Sequence, residues 1–252
     1  MMGIRGCTIR PMTKMLKRIR TSFRNTKLVH AHRLHRYKSR TEPESIRFIQ
    51  SLDLDGTSVL DIGANRGIYC YFLSRCVGAS GTVTAFEPQP ECIVTIKRVM
   101  KMFKLKNIDI RNCGVSDRNT TVPVYRGKPE HGSASLQFDS SEHTPGQEIE
   151  ASVVTLDSIA DTLPRPIRFI KCDIEGHEAE MLRGAKTTLA EDEPTILIEI
   201  HDDQMPEVNA ILASYGYTGS FHADGQTYPV SEYAERPCHK GLRHRNYMFE
   251  IK

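Results

Sequence analysis

From Ser58 to the C-terminus, short apolar runs of strand type alternate with segments that carry the 3.6-residue period of a helix. The run "SVLDI" is followed by the helical segment "IYCYFLSRC", and "GTVTAFE" by the helical segment "PECIVTIKRVMKMFK". Such alternation predicts an α/β fold, a mostly parallel sheet with helices on both faces. We therefore predict one domain over residues 42–252, preceded by an arm over residues 1–41.

The second half of the chain continues the pattern. "IDIRNCGVS" is predicted as the third strand, "TVPVYRG" as a short extra strand, and the polar stretch from Gly132 to Gln147 as a long loop. "IEASVVTLDSIA" is predicted as a strand that leads into a short helix capped by Asp157. Strands follow at "IRFIKC" and "TILIEI", helices at "HEAEMLRGA" and "PEVNAILASYG", and a closing pair of strands at "SFHADGQTYPV" and "RNYMFEIK".

The arm is basic and the rest of the chain is acidic. Of the 34 Lys and Arg residues, twelve lie in residues 1–41, which contain no Asp or Glu, and 22 lie beyond them together with all 31 acids, a balance of −9. Apolar residues recur in the arm at helical spacing, namely Met12, Met15, Leu16, Ile19 and Phe23. A helix docked on the domain, a contact with an anionic membrane, a contact with nucleic acid and a transit peptide all fit this pattern.

The cysteines and the apolar runs bear on the compartment. The seven cysteines form no CxxC pair, which favours reduced thiols over a disulfide framework or a zinc site. No apolar run approaches the roughly 18 residues that a membrane-spanning helix needs. We therefore predict a cytoplasmic protein, with peripheral membrane contact through the arm left open.

The loop after "SVLDI" has the spacing Asp61-x-Gly63-x-Asn65-x-Gly67, at the end of a strand where α/β sheets bind ligands. No lysine follows Gly67, as a phosphate-binding Walker loop requires, and Ile68 stands where the dinucleotide fingerprint needs its last glycine. The glycines remove side chains where a ligand approaches the backbone, so a side chain at Gly63 is expected to block binding. Asn65 tolerates positive φ. Asp61 can accept hydrogen bonds from the loop or, through water, from a ligand ammonium.

Glu87 ends the second predicted strand, 26 residues after Asp61. A carboxylate at this position can accept hydrogen bonds from both hydroxyls of a ribose. An acid before a proline also favours the start of a helix, so a purely structural role for Glu87 stays open.

Several blocks in register resemble the FkbM-type S-adenosylmethionine-dependent methyltransferases: "VLDIGANRGIYCYFLSRCVGASGTVTAFEPQPE", "LDSIA", "IRFIKCDIEGHEAEMLRGAKTTL", "PTILIEIH" and "NYMFEI". The resemblance implies the class I, Rossmann-like sheet of seven strands with the last strand antiparallel. It also implies S-adenosylmethionine as the cofactor and methyl transfer to a hydroxyl, most often of a sugar, lipid or secondary metabolite.

Carried over residue by residue, the resemblance makes Asp61, Gly63, Asn65 and Gly67 the cofactor loop and Glu87 the ribose ligand. It also places Ser116 and Asp117, after the third strand, near the adenine. A turn built from small polar residues would explain Ser116 and Asp117 equally well.

Methyl transfer to an alcohol needs alignment and a way to remove the acceptor proton. Asp173 and Glu175 follow one predicted strand, and Glu199 and His201 share a side of the next strand, so the four are expected to converge on one pocket. Asp173 and His201 are the chief catalytic candidates. A divalent cation held by the same groups is the alternative to a metal-free base.

Two other functions fit parts of the sequence less well. A nicotinamide-dependent oxidoreductase would have a fuller glycine fingerprint and usually a second domain. A nucleic-acid methyltransferase or binding module would use the basic arm, but the body is acidic and few aromatic residues accompany the cations. We therefore expect a small-molecule or glycan acceptor and no nucleic acid.

Overall fold

The computed structural model describes residues 26–127, 134–135, 143–236 and 244–251. It contains two compact units that divide between Pro43 and Glu44. The apolar stripe of the arm, from Met12 to Phe23, lies outside the described residues. In the described ranges no helix has the length and the hydrophobicity that crossing a membrane requires.

In the N-terminal unit, helix α1 (Lys27–Arg36) runs directly into one π-helical turn, Tyr37–Thr41. The hydroxyl of Thr26 caps α1 by accepting a backbone N–H of its first turn at 3.4 Å. His30 and Leu34, one helical turn apart, are buried, whereas most of the side chains around them are exposed. No acid lies between Thr26 and Thr41, so the exposed charge here is positive.

The C-terminal unit alternates helices and strands. Its helices are α2 (Pro43–Ser51, whose first residue belongs to the N-terminal unit), α3 (Ile68–Cys76), α4 (Pro90–Phe103), α5 (Glu178–Arg183), α6 (Lys186–Asp192) and α7 (Met205–Ser214). Its strands are β1 (Ser58–Ile62), β2 (Thr82–Phe86), β3 (Ile108–Arg111), β4 (Gly114–Val115), β5 (Thr120–Gly127), β6 (Ala134–Ser135), β7 (His143–Val154), β8 (Ile167–Cys172), β9 (Thr195–His201), β10 (Tyr217–Ala223), β11 (Gln226–Pro229) and β12 (His244–Ile251).

The main sheet has, in the described chain, the strand order β11-β10-β12-β9-β8-β1-β2-β3. Strands β9, β8, β1, β2 and β3 are mutually parallel, and β12 is antiparallel to both of its neighbours. The predicted sheet, mostly parallel with an antiparallel last strand, is confirmed. The chain moves outward in one direction from β1 to β3 and in the other from β8 to β9. The strand order therefore switches between β1 and β8, where a ligand is expected.

The sheet has eight described strands rather than the seven expected, because "SFHADGQTYPV" is a hairpin and not one strand. Asp224 and Gly225 form its two-residue turn with φ angles of 50° and 75°. Two positive φ angles in succession are typical of the type I′ turn, for which Asp-Gly is a favoured sequence. The turn adds β11 to the sheet edge beside β10.

A second, smaller sheet has the order β4-β7-β5-β6. The predicted third strand is wrong in its extent, because "IDIRNCGVS" divides into β3 in the main sheet and β4 in the small one. The predicted loop over residues 132–147 is wrong at two places, since β6 lies within it and β7 already begins at His143, and both strands pair with β5. Residues 132–133 and 136–142 of that loop lie outside the described residues.

The two faces of the central strands differ in chemistry. Leu60, Ile170 and Ile196 are register neighbours on β1, β8 and β9, and they are fully buried in the core that includes residues of α5 and α7. Asp61 and Lys171 are the next pair of neighbours, so they point to the opposite face. A carboxylate and an ammonium in the middle of a buried sheet mark the face that carries the site.

Asp157 was predicted to cap its own short helix, and this is wrong. Its carboxylate instead accepts the backbone N–H groups of Thr187 at 2.9 Å and Thr188 at 3.0 Å, in the first turn of α6. The local cap is Thr155, whose hydroxyl accepts the N–H of Ser158 at 3.1 Å. The capped helix lies about thirty residues further along the chain, which sequence spacing alone does not reveal.

We predict that Asp157→Ala lowers the free energy of unfolding by about 1 kcal/mol, the usual cost of losing a helix cap. Asp157→Asn keeps one acceptor oxygen and should lose less. Asp161→Ala, an exposed acid in the same 3₁₀ turn, is the control and should change little. Urea unfolding of the three variants measures this, and equal effects of Asp157→Ala and Asp161→Ala would contradict the assignment.

Candidate active site

The loop between β1 and α3 is held against β2 by its own backbone. The N–H groups of Gly63 and Ala64 both donate to the carbonyl oxygen of Phe86 at 3.0 Å. Gly63, Asn65 and Gly67 have φ angles of 79°, 46° and 76°. These are the positions at which the sequence predicted conformations that favour glycine or asparagine.

The structure shows a reason for Gly63 that the sequence did not predict. A Cβ atom built on Gly63 would overlap the backbone carbonyl oxygen of Asp173, at the end of β8. The protein itself therefore excludes a side chain here, before any ligand is considered. A β-branched substitution at Gly63 would displace the chain after β8, so it is a poor test of ligand binding alone.

Glu87 joins the loops that follow β1 and β2. Its Oε2 accepts the backbone N–H of Asn65 at 2.7 Å, and its Oε1 accepts the N–H of Gln89 at 2.9 Å. The side chain is buried, and burial raises the pKa of Glu87 to about 7. Each carboxylate oxygen has a second lone pair, so Glu87 can still accept from a ligand.

Asp61 lies behind this loop, almost completely buried. The thiol and the backbone N–H of Cys70, in the first turn of α3, form hydrogen bonds with its carboxylate. Burial raises the pKa of Asp61 to about 6, and the nearby Lys171 ammonium opposes this shift. The Oδ2 atom of Asp61 has no hydrogen-bond partner within the described ranges. A buried acceptor in this state is suited to a donor that a ligand brings.

A cleft with about 650 Å³ of empty space, part of it open to solvent, lies at the switch between β1 and β8. Five of the residues proposed from sequence line it: Gly63, Asn65, Glu87, Asp173 and Glu175. The remaining described lining consists of Ile62, Phe86, Pro88, Gln89, Gly114, Val115, Val124 and Ile174. One wall is thus acidic, and the small sheet contributes an apolar wall through β4 and β5.

Ser116 and Asp117 are not among the described residues that line the cleft. The hydroxyl of Ser116 is buried, 2.9 Å from Nε2 of His177 and 3.2 Å from the carboxylate of Asp117. Burial lowers the pKa of His177. Gly114 and Val115, just before them on β4, line the cleft instead.

Lys171 is a residue of the site that the sequence analysis missed. Its side chain is 1% exposed, and its Nζ lies 3.5 Å from Oδ2 of Asp173 and 4.8 Å from the ring centroid of Tyr69. Its sequence signal was a lysine inside the apolar run "FIKC". Because Lys171 is also the register neighbour of Asp61, it places one buried positive charge between two carboxylates.

The four catalytic candidates converge only in part. Asp173 and Glu175 line the cleft, whereas Glu199 and His201 are half-buried at the end of β9 and are not among the lining residues. Cys172 and Ile198 are register neighbours, so Asp173 and Glu199 occupy the next positions of adjacent strands. In the described ranges, no group of three or more His, Cys, Asp or Glu side chains is arranged to hold a metal ion.

The sheet order and the cleft at its switch point define the class I methyltransferase fold. The chain matches the family model of the methyltransferase FkbM domain over residues 61–218, and it therefore belongs to the FkbM family. Among curated relatives it is similar to Methyltransferase 1 of Beauveria bassiana, with 22% identity over 182 residues, 65% of this chain and 73% of the relative.

Two solved structures show the same fold. The methyltransferase FkbM from Methylobacillus flagellatus superposes with a TM-score of 0.54 and 18% identity, covering 86% of this chain and 52% of its own length. The chain thus spans about half the length of that protein. SMU.1697c, a putative methyltransferase from Streptococcus mutans in complex with SAH, superposes with a TM-score of 0.52 and 13% identity, covering 84% and 98% of the two chains.

We predict that the ligand-free protein loses stability as the pH rises from 5 to 8. The folded-state pKa of Asp61 (about 6) and of Glu87 (about 7) lie above their ordinary values of 3.8 and 4.5. Protonation therefore favours the folded state. This contribution is fully present below the ordinary pKa values and is lost as the pH rises through 6 to 7.

The variant Glu87→Gln isolates one part of this dependence. Its amide oxygen can still accept a backbone N–H, but it does not ionise. Between pH 4.5 and 8, the free energy of unfolding of the wild type should fall by up to about 3 kcal/mol more than that of the variant. The reason is that a pKa change of one unit corresponds to about 1.36 kcal/mol. Urea unfolding across this range measures the difference. Parallel pH curves for the two proteins would contradict the role of burial.

Proposed function

We propose that this protein transfers a methyl group from S-adenosylmethionine to a hydroxyl group of a small-molecule or glycan acceptor. The acceptor we propose is a sugar, a glycolipid or a secondary metabolite. Membership of the FkbM family supports methyl transfer. The observation that carries the proposal is the cleft at the sheet switch, which is lined by the glycine loop and the buried Glu87 and has the partnerless oxygen of Asp61 behind that loop.

The residues present fit the cofactor. In this proposal Glu87, which lines the cleft, accepts the ribose hydroxyls, and the buried Oδ2 of Asp61 accepts an ammonium group through water. Gly63 and Asn65 of the glycine loop line the cleft, and Val115 and Val124 offer an apolar wall that suits a flat base. When bound, S-adenosylmethionine supplies a methyl group that its sulfonium has already activated.

The protein then has to align the acceptor and remove its proton. Of the four candidates we assign first place to Asp173, since it lines the cleft, with Glu175 beside it. His201, oriented by Glu199, is the second proton acceptor in this proposal. In the alternative version, a divalent cation held by the same carboxylates lowers the pKa of the alcohol.

We predict that Asp173→Asn and His201→Ala lower turnover by about 10²- to 10⁴-fold, the usual contribution of a general base, and change S-adenosylhomocysteine affinity little. Metabolite profiling of a deletion strain should first identify an acceptor that lacks one methyl group. Transfer of labelled methyl to that acceptor then measures turnover, with the exposed Glu191→Gln as the control. Loss of activity with EDTA, restored by Mg²⁺, would select the metal version. Near-normal turnover in both variants would contradict the role of Asp173 and His201 as proton acceptors. It would indicate that catalysis depends on alignment of the acceptor alone.

We also propose that the protein is cytoplasmic and contacts anionic membranes through its basic arm. In the described part of the arm, the exposed side chains of α1 and the π-helical turn include Arg36, Lys38 and Arg40, and Leu28 at the start of α1 is 83% exposed. Cations beside an exposed apolar residue suit the surface of a membrane that contains acidic lipids.

We predict that the triple change Arg36→Glu, Lys38→Glu and Arg40→Glu weakens binding to vesicles that contain phosphatidylserine by roughly 100-fold or more, since each cation near a membrane contributes about 1 kcal/mol. Co-sedimentation at low and high salt measures the binding. The control reverses three exposed cations elsewhere, Lys97, Lys101 and Lys106. Equal losses in both triple variants would contradict a specific role of the arm, and so would a wild type that does not bind at low salt.

A further inference from the structure

The acidic wall of the cleft ends in a turn with unusual backbone angles. Asp173, Ile174 and Glu175 line the cleft, and Gly176 follows them. Glu175 has a φ of 53° and Gly176 a φ of 93°. A left-handed residue other than glycine is strained, and it persists only where its surroundings hold it.

Two side chains from outside the turn hold this segment. Oε1 of Glu178, in the first turn of α5, accepts the backbone N–H of Ile174 at 3.2 Å and that of Gly176 at 3.3 Å. Nε2 of Gln204, directly before α7, donates to the carbonyl oxygen of Gly176 at 2.7 Å. The backbone N–H and the carbonyl oxygen of Gly176 are thus both bound by side chains that do not line the cleft.

The surroundings of Glu178 and Gln204 destabilise the folded state, which is not expected of residues whose role is only structural. Glu178 is 1% exposed, and its Oε2 has no hydrogen-bond partner in the described ranges. The buried Oε1 of Gln204 has no hydrogen-bond partner in these ranges either. A buried polar atom without a partner destabilises the folded state. Such a cost is expected where the placement of a functional segment matters more than stability.

The turn also contacts the loop between β1 and α3, the proposed cofactor loop. The N–H of Asp173 donates to the carbonyl oxygen of Ile62 at 3.0 Å, and the carbonyl oxygen of Asp173 fills the space beside Gly63. A shift of the turn would therefore displace both the acidic wall and the loop between β1 and α3.

We propose that Glu178 and Gln204 are positioning residues, which hold the turn Asp173–Gly176 in the one conformation that the cofactor and the acceptor require. The proposal rests on the proposed function, because it assigns these residues to that same cleft. Neither residue touches the substrate; both act through the backbone of the turn.

The test measures S-adenosylhomocysteine affinity by calorimetry, at a temperature at which circular dichroism shows every variant to be folded. Glu178→Leu removes two hydrogen bonds to the turn and Gln204→Leu removes one, and each variant should bind at least tenfold more weakly than the wild type. Glu178→Gln keeps an acceptor oxygen and should stay within threefold of the wild type. The control, Met181→Ala, empties a fully buried core position of the same helix, α5, and should lower the melting temperature but leave affinity unchanged.

Hydrogen exchange gives a second readout that needs no ligand. The amides of Ile174 and Gly176 should exchange at least tenfold faster in Glu178→Leu than in Met181→Ala. Unchanged affinity in both leucine variants, or the same loss of affinity in Met181→Ala as in Glu178→Leu, would overturn the positioning role and leave the proposed function intact. A wild type that does not bind S-adenosylhomocysteine would instead overturn the proposed function, and this inference with it.

Discussion

The cleft depends on one close backbone contact between the loops that follow β1 and β8. At Gly63 there is no room for a side chain, because the carbonyl oxygen of Asp173 occupies that space. The N–H of Asp173 donates to the carbonyl oxygen of Ile62, so the two strand ends are joined as well as in contact. The glycine loop and the acidic turn therefore form one continuous wall. Since packed interiors transmit displacement, a change in either loop is felt by the other.

Around this contact, the molecule buries charged groups that a purely structural sheet would avoid. Burial raises the pKa of Asp61 to about 6 and the pKa values of Glu87 and Glu178 to about 7. Backbone N–H groups and the ammonium of Lys171 offset part of the cost of desolvation. Perturbed carboxylates in a cleft and directly behind it are typical of functional sites. The ligand-free protein thus gives up stability at the proposed cofactor site.

Local sequence signals were sufficient for the centre of the fold. "SVLDI" and "IYCYFLSRC" coincide with β1 and α3, because apolar period and flanking glycines agree there. The signals failed where structure depends on distant partners. Asp157 caps a helix some thirty residues away, and β4 belongs to a different sheet from β3. Strand ends were sufficient to predict that Gly63, Asn65 and Glu87 lie at the cleft. Lys171 was missed, because a lysine within an apolar run gives no local sign of its neighbours.

The charges of the cleft also affect which acceptor groups it can bind. Glu87, Asp173 and Glu175 line it and Asp61 lies behind it, with Lys171 as the buried cation beside two of them. This excess of carboxylates attracts a cofactor that carries a sulfonium and an ammonium group. The same field opposes a phosphate group at the same place, because like charges in a partly dry cleft repel strongly. An acceptor that presents an uncharged hydroxyl meets no such opposition. These charges therefore support the proposed acceptor, an uncharged hydroxyl group, over one that brings a phosphate group into the cleft.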